Sequence, residues 1–132
     1  MLVHLLSILA FMAITFAAQG LSHFKVNKAH FEAIAHLRDN PIMPMGLAAM
    51  IVQGLIMSLA LGTWRGGDAT LSNGVTLSLA FGLFLVSYVA LAEPAKYTVP
   101  DIAAWMRIEV MVGAAQFVAF GVALGLIHAR FG

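Results

Sequence analysis

Residues 102–127 read IAAWMRIEVMVGAAQFVAFGVALGLI, a run whose only charged side chains are Arg107 and Glu109. A helix of that length extends about 39 Å at ~1.5 Å per residue, more than the ~30 Å of a bilayer's hydrocarbon core. Working outward, three further apolar stretches run from Leu2 to Leu21, Ile42 to Trp64 and Gly74 to Ala92, and none has a strongly polar centre. In lipid every backbone N–H and C=O must be satisfied within the segment, so such stretches are helices. The expected fold is all-α: an integral membrane four-helix bundle forming one transmembrane domain over residues 1–132, with a short amphipathic helix between the first and second spans.

Composition leads to the same class. Hydrophobic residues make up 61% of the chain, charged residues 10%, and the mean hydropathy is +0.94, which leaves too little polar surface to coat a soluble globule. A net charge of +1 with no basic stripe argues against nucleic acid as a partner. The absence of cysteine excludes disulfides, thiolate metal ligands and a cysteine nucleophile. The small residues from Phe16 to Gly20 raise the alternative of a cleaved signal peptide. Met1 to His4 carries no Lys or Arg, however, and the apolar run exceeds the roughly 7 to 15 residues of a cleavable core, so the first helix is expected to remain.

The first connection, SHFKVNKAHFEAIAHLRDNP from Ser22 to Pro41, interleaves Phe24, Phe31, Ile34 and Leu37 with Lys25, Lys28, Glu32, His36 and Arg38, the pattern of a short amphipathic helix that lies in the interface or continues the first helix beyond the bilayer. Pro41 and Pro44 stand where a new helix tolerates proline, at its start. Trp64 and the turn Arg65, Gly66, Gly67, Asp68 close the second span, and Asn73 precedes the third. Glu93 and Pro94 are expected to end the third span. Pro100 and Asp101 open the fourth, with Trp105 as its anchor at the membrane surface.

Basic residues distribute unevenly. The first and third connections and the edge of the fourth helix hold Lys25, Lys28, Arg38, Lys96 and Arg107, while the termini and second connection hold Arg65 and Arg130. The positive-inside tendency then places the first and third connections in the cytoplasm and both termini outside. Glu32, Asp39, Glu93, Asp101 and Glu109 fall on the same crowded side, with His23, His30 and His36.

Gln53 and Gln116 lie near the middle of two helices that cross in the same direction. They are expected to meet in a hydrogen-bonded clasp, or else to form part of a ligand or ion path. Gln53 precedes Ala60, Leu61 and Gly62 as Gln116 precedes Ala123, Leu124 and Gly125, an echo that a duplicated helical hairpin would leave, weighed against how common Ala, Leu and Gly are in membrane helices. Small residues at four-residue spacing or its double, Gly54, Ser58 and Gly62 on one helix and Gly113, Gly121 and Gly125 on another, mark helix contacts inside the chain.

Glu109 lies within the apolar slab and needs a partner, for which Lys96, Arg107, Tyr88 or a histidine of the first connection are candidates. With Gln116, Gln53, Glu93, Lys96 and Tyr88 it forms the candidate ligand or ion path. His23, His30, Glu32 and His36 are the candidate metal ligands, weighed against their being surface side chains. No HExxH or ExxH motif accompanies them, no catalytic residue stands out, and no cofactor is strongly indicated. His4 and His128 sit too shallow for a bis-histidine haem.

The segments DNPIMPMGLAAMIVQ (Asp39 to Gln53) and SYVALAEPAKY (Ser87 to Tyr97), followed by Trp105, Glu109 and Gln116, resemble small bacterial four-helix membrane proteins of unassigned function. The resemblance implies a fold and no activity. The preferred expectation is a non-enzymatic accessory, assembly or structural subunit in the bacterial cytoplasmic membrane. Its partners are then the bilayer and other membrane subunits, or further copies of itself. The alternatives are a small transporter, channel or ligand-binding protein, then a metal-dependent enzyme acting on a lipid or quinone.

Overall fold

The computed structural model describes residues 1–132, with the side chain of Arg65 outside the description. All regular structure among the described residues is helical: α1 (Leu2–Leu21) with a π turn (Ser22–Val26), α2 (Lys28–Glu32), α3 (Met43–Thr63) with a 3-10 turn (Trp64–Gly67), α4 (Leu71–Ser87) with a π turn (Tyr88–Ala92), α5 (Glu93–Lys96) and α6 (Ile102–Phe131). Four helical stretches, Leu2–Val26, Met43–Thr63, Leu71–Lys96 and Ile102–Phe131, are long and apolar enough to cross a membrane.

Packing centres on α6, against which both α4 and α1 lie; α1 also packs along α3, and α3 touches α4 and α6 less. The core between them holds Phe11, Met50, Met57, Leu61, Phe117, Phe120 and Leu124. Phe11 meets Phe120 edge-on, with ring centroids 4.8 Å apart, and tilts against Phe117 at 6.2 Å. Several of the small residues sit at helix contacts. A Cβ on Gly74 of α4 would lie 2.6 Å from the Gly125 Cα of α6, so the two backbones approach as only glycine permits. Gly54 of α3 lies against Ile8 and Phe11 of α1 in the same way.

Two sequence-based boundaries shift, each for a local reason. The third long helix starts at Leu71, because the Thr70 hydroxyl accepts from the Asn73 N–H and caps it; Asn73 lies inside the first turn and donates its side-chain amide to the Asp68 carbonyl. The same helix continues past Glu93 and Pro94 to Lys96. Its π turn carries the backbone through, with the Glu93 N–H bonded to the Tyr88 carbonyl. The next bond of that series would need an N–H from Pro94, which has none, so the Val89 carbonyl is left free. Trp105 Nε1 donates to it at 2.9 Å.

Trp105 is therefore not a membrane-surface anchor. It is 5% exposed and packs with Phe31 and Ile34 of the first connection. That connection is a continuation of α1 through the π turn, the single helical turn and a half of α2, and irregular backbone from Ala33 to Ile42, rather than one continuous helix.

Candidate functional site

At the crowded end, α5 and the π turn before it bring Tyr88 and Lys96 together. Lys96 Nζ donates to the Tyr88 hydroxyl at 2.5 Å and lies 4.7 Å from the centre of the Tyr88 ring and 5.6 Å from that of Tyr97. His36 stacks on Tyr97, with centroids 5.2 Å apart. Glu93 lies within electrostatic range of Lys96, His36 and Glu109. Together His36, Lys96 and Tyr97 line a surface cavity of about 420 Å³ between the first and third connections.

Glu109 is half-buried inside its span and makes no hydrogen bond or ion pair among the described residues. The expected structural ion pair does not form: Lys96 is turned to Tyr88, Arg107 is exposed on another face, and the charged group that acts on Glu109 is Glu93, of like sign.

The four candidate metal ligands do not converge. His23 lies flat on Phe31 at 3.6 Å and donates Nδ1–H to the Gln19 carbonyl, while His30 meets Phe31 edge-on from another side. Glu32 pairs with Lys28 at 3.4 Å, both side chains largely in solvent, and His36 belongs to Tyr97. No three metal-ligating side chains gather among the described residues. His30 Nε2 is buried without a partner among them.

In the middle of the molecule Gln116 finds its partners on α1 and not on α3. Gln19 Nε2 donates to Gln116 Oε1 at 2.9 Å, and Gln116 Nε2 donates to Thr15 Oγ1 at 3.0 Å. The expected Gln53–Gln116 clasp is absent because α6 packs closely along α1 and only lightly against α3. Gln53 instead lines a crevice of about 220 Å³ between α3 and α4, among Ile56, Met57, Phe81, Phe84, Leu85 and Phe117. It has no hydrogen bond among the described residues. The ligand or ion path anticipated from Glu109, Gln116 and Gln53 is thus divided between two sides of α6.

The opposite end holds a polar group that sequence reasoning missed. Ser58 Oγ lies 2.8 Å from His4 Nδ1 and 2.8 Å from His128 Nε2, joining α1, α3 and α6. Ser58 is fully buried and His128 is 5% exposed. A signal was present in α1 and the turn that follows it: His4, Ser7, Thr15, Gln19 and Ser22 recur at three- and four-residue steps about Phe11, which puts a polar stripe on one helical face. Two polar zones lie along that stripe, and the Phe11, Phe117 and Phe120 rings separate them.

Compared with protein families, curated proteins and solved structures, the chain matches none, so its fold and sites rest on its own residues.

Proposed function

We propose that this chain is a non-enzymatic accessory or assembly subunit of a larger membrane complex, and that it meets another membrane-spanning chain through the face shared by α3 and α4. The observation that carries this reading is Gln53. It stands midway along α3, half-buried, in a crevice whose other lining residues are apolar, and its amide has no partner among the described residues. An unpaired amide in hydrocarbon costs several kcal/mol on transfer scales, and a polar side chain on a neighbouring helix relieves that cost. Phe84 beside it is 80% exposed and extends the same face.

In this reading the four spans form a bundle in a bacterial cytoplasmic membrane. The five basic residues on one side against two on the other support cytoplasmic first and third connections. The first connection then acts as an amphipathic segment at the inner surface, with Phe31 and Ile34 turned to Trp105 and Lys25, Lys28 and Arg38 toward headgroups. A photo-crosslinker placed at Phe84 in native membranes is expected to capture one discrete membrane protein. The same probe at Met111, exposed between α1 and α6, is expected to capture none. Absence of an adduct at position 84 removes the proposal.

A second reading, a small transporter or ligand-binding protein with its mouth at Glu93, Lys96 and Glu109, is supported by the unpaired carboxyl of Glu109 within its span. Liposome flux compared between the parent and Glu109→Gln tests it. No flux in the parent, or flux unchanged by the substitution, excludes it.

A further inference from the structure

The α3–α4 face leaves the His4, Ser58 and His128 group without a role. Elsewhere in this chain a buried hydroxyl clasps two helices by one bond to a carbonyl, as Ser78 does with Phe117 at 2.7 Å. Ser58 instead bridges two ionisable rings, with centroids 6.1 Å apart, one from α1 and one from α6. A hydroxyl has one proton to give and lone pairs to accept with. Ser58 is fully buried and its Oγ hydrogen-bonds only with these two inner ring nitrogens among the described residues, so with both rings neutral its proton goes to one bare nitrogen and it accepts N–H from the other. The rings are held in complementary tautomers, and the mirror arrangement fits the same heavy-atom positions.

The outer nitrogens, His4 Nε2 and His128 Nδ1, make no hydrogen bond among the described residues. Neither is among their sealed, unpartnered atoms, a state found there only for His30 Nε2, so both outer nitrogens reach the surface. We propose that His4, Ser58 and His128 form a proton-transfer site, a hydroxyl-bridged imidazole pair that accepts one proton at one outer nitrogen and releases one at the other. Starting with His4 Nδ1–H donating to Ser58 and Ser58 O–H donating to His128 Nε2, a proton from water binds His4 Nε2. The Nδ1 proton moves to Ser58 Oγ as the hydroxyl proton moves to His128 Nε2, and the Nδ1 proton of His128 leaves to water. One proton enters, one leaves, and both tautomers are reversed.

The pair holds one extra proton and not two. The titratable groups facing it from α1 and α6 are its own two rings, and α3 contributes only the Ser58 hydroxyl. Ser7 is committed to the Val3 carbonyl, and the Met1 amine, Asp68 and Arg130 at this end are exposed. Among the described residues no aspartate or glutamate side chain bonds to either ring to balance two imidazolium charges 6.1 Å apart. The site does not depend on whether another chain docks on α3 and α4.

Full-length protein labelled with ¹⁵N-histidine in lipid nanodiscs, followed by NMR between roughly pH 5 and 8, tests this. The expected spectrum shows unlike inner nitrogens, one protonated and one bare, and a single step of one proton that moves the signals of both rings together. Ser58→Ala is expected to abolish that joint movement, and His4→Gln to displace the His128 transition. Inner nitrogens of the same type, two independent steps in the parent, or a His128 profile indifferent to His4→Gln would each overturn the proposal. If Ser58→Ala does not fold, the parent spectrum and His4→Gln decide it.

Discussion

Replacing Gly74 by alanine adds one methyl group where α4 and α6 have no room for it. The new Cβ would stand 2.6 Å from Gly125 Cα, 2.6 Å from Gly125 N and 2.7 Å from the Gly121 carbonyl oxygen, all backbone atoms that no rotamer change can move. Ordinary carbon contacts begin at about 3.5 Å, so the helices must separate by roughly 1 Å along their seam. That movement loosens the neighbouring close approaches of Gly121 to Val75 and of Gly125 to Leu71. Overpacking of this kind costs about 1–3 kcal/mol. Gly46 is the internal control, since nothing lies within 4 Å of a Cβ there. It lies in the first turn of α3, where alanine is expected to gain about 0.5–1 kcal/mol from helix propensity. The two variants should thus differ by about 1.5–4 kcal/mol, in opposite directions from the parent. Unfolding by SDS in mixed micelles, followed by far-UV circular dichroism, reads the difference. Equal midpoints for Gly74→Ala and Gly46→Ala would refute the backbone-to-backbone seam on which the α4–α6 packing rests.

Two further outcomes follow from the polar contacts. Gln116→Leu removes the bonds to Gln19 and Thr15, and at roughly 0.6 kcal/mol each, up to ~1.7, it should destabilise the fold by about 1–3 kcal/mol in the same assay; a neutral result would mean that the α1–α6 clasp contributes nothing. Trp105→Phe keeps the ring but leaves the Val89 carbonyl without its donor, an expected loss of about 1–3 kcal/mol with faster amide exchange around Tyr88–Ala92. Unchanged exchange there would separate the tryptophan from the π turn.

The spans were legible in the sequence because hydropathy acts on whole segments, and a backbone that cannot hydrogen-bond to lipid has only one way to fold along Ile102–Phe131. The ends were less legible. Thr70 and Asn73 look like loop residues until the capping bond is seen, and Pro94 looks like a stop because the π turn that absorbs it has no composition of its own. Partner choice was not legible at all for Gln53 and Gln116. Equal depth is readable from position along a helix, but which helix lies alongside depends on where backbones can approach, and Gly74, Gly121 and Gly125 bring α4 against α6. His4 and Ser58 lie far apart in the chain, and judging His4 and His128 by depth alone concealed that one serine lies between them.

The proposed role turns on whether the α3–α4 face is covered by another chain. The most direct measurement is the native mass of the protein extracted from its own membrane in mild detergent, with the parent and Gln53→Leu run side by side. The parent is expected to travel with another membrane subunit in fixed proportion. Gln53→Leu, which removes an unpaired amide and no internal bond, should remain folded and travel alone. A parent that runs as an isolated monomer, or a Gln53→Leu variant that keeps the same companion as tightly, contradicts it.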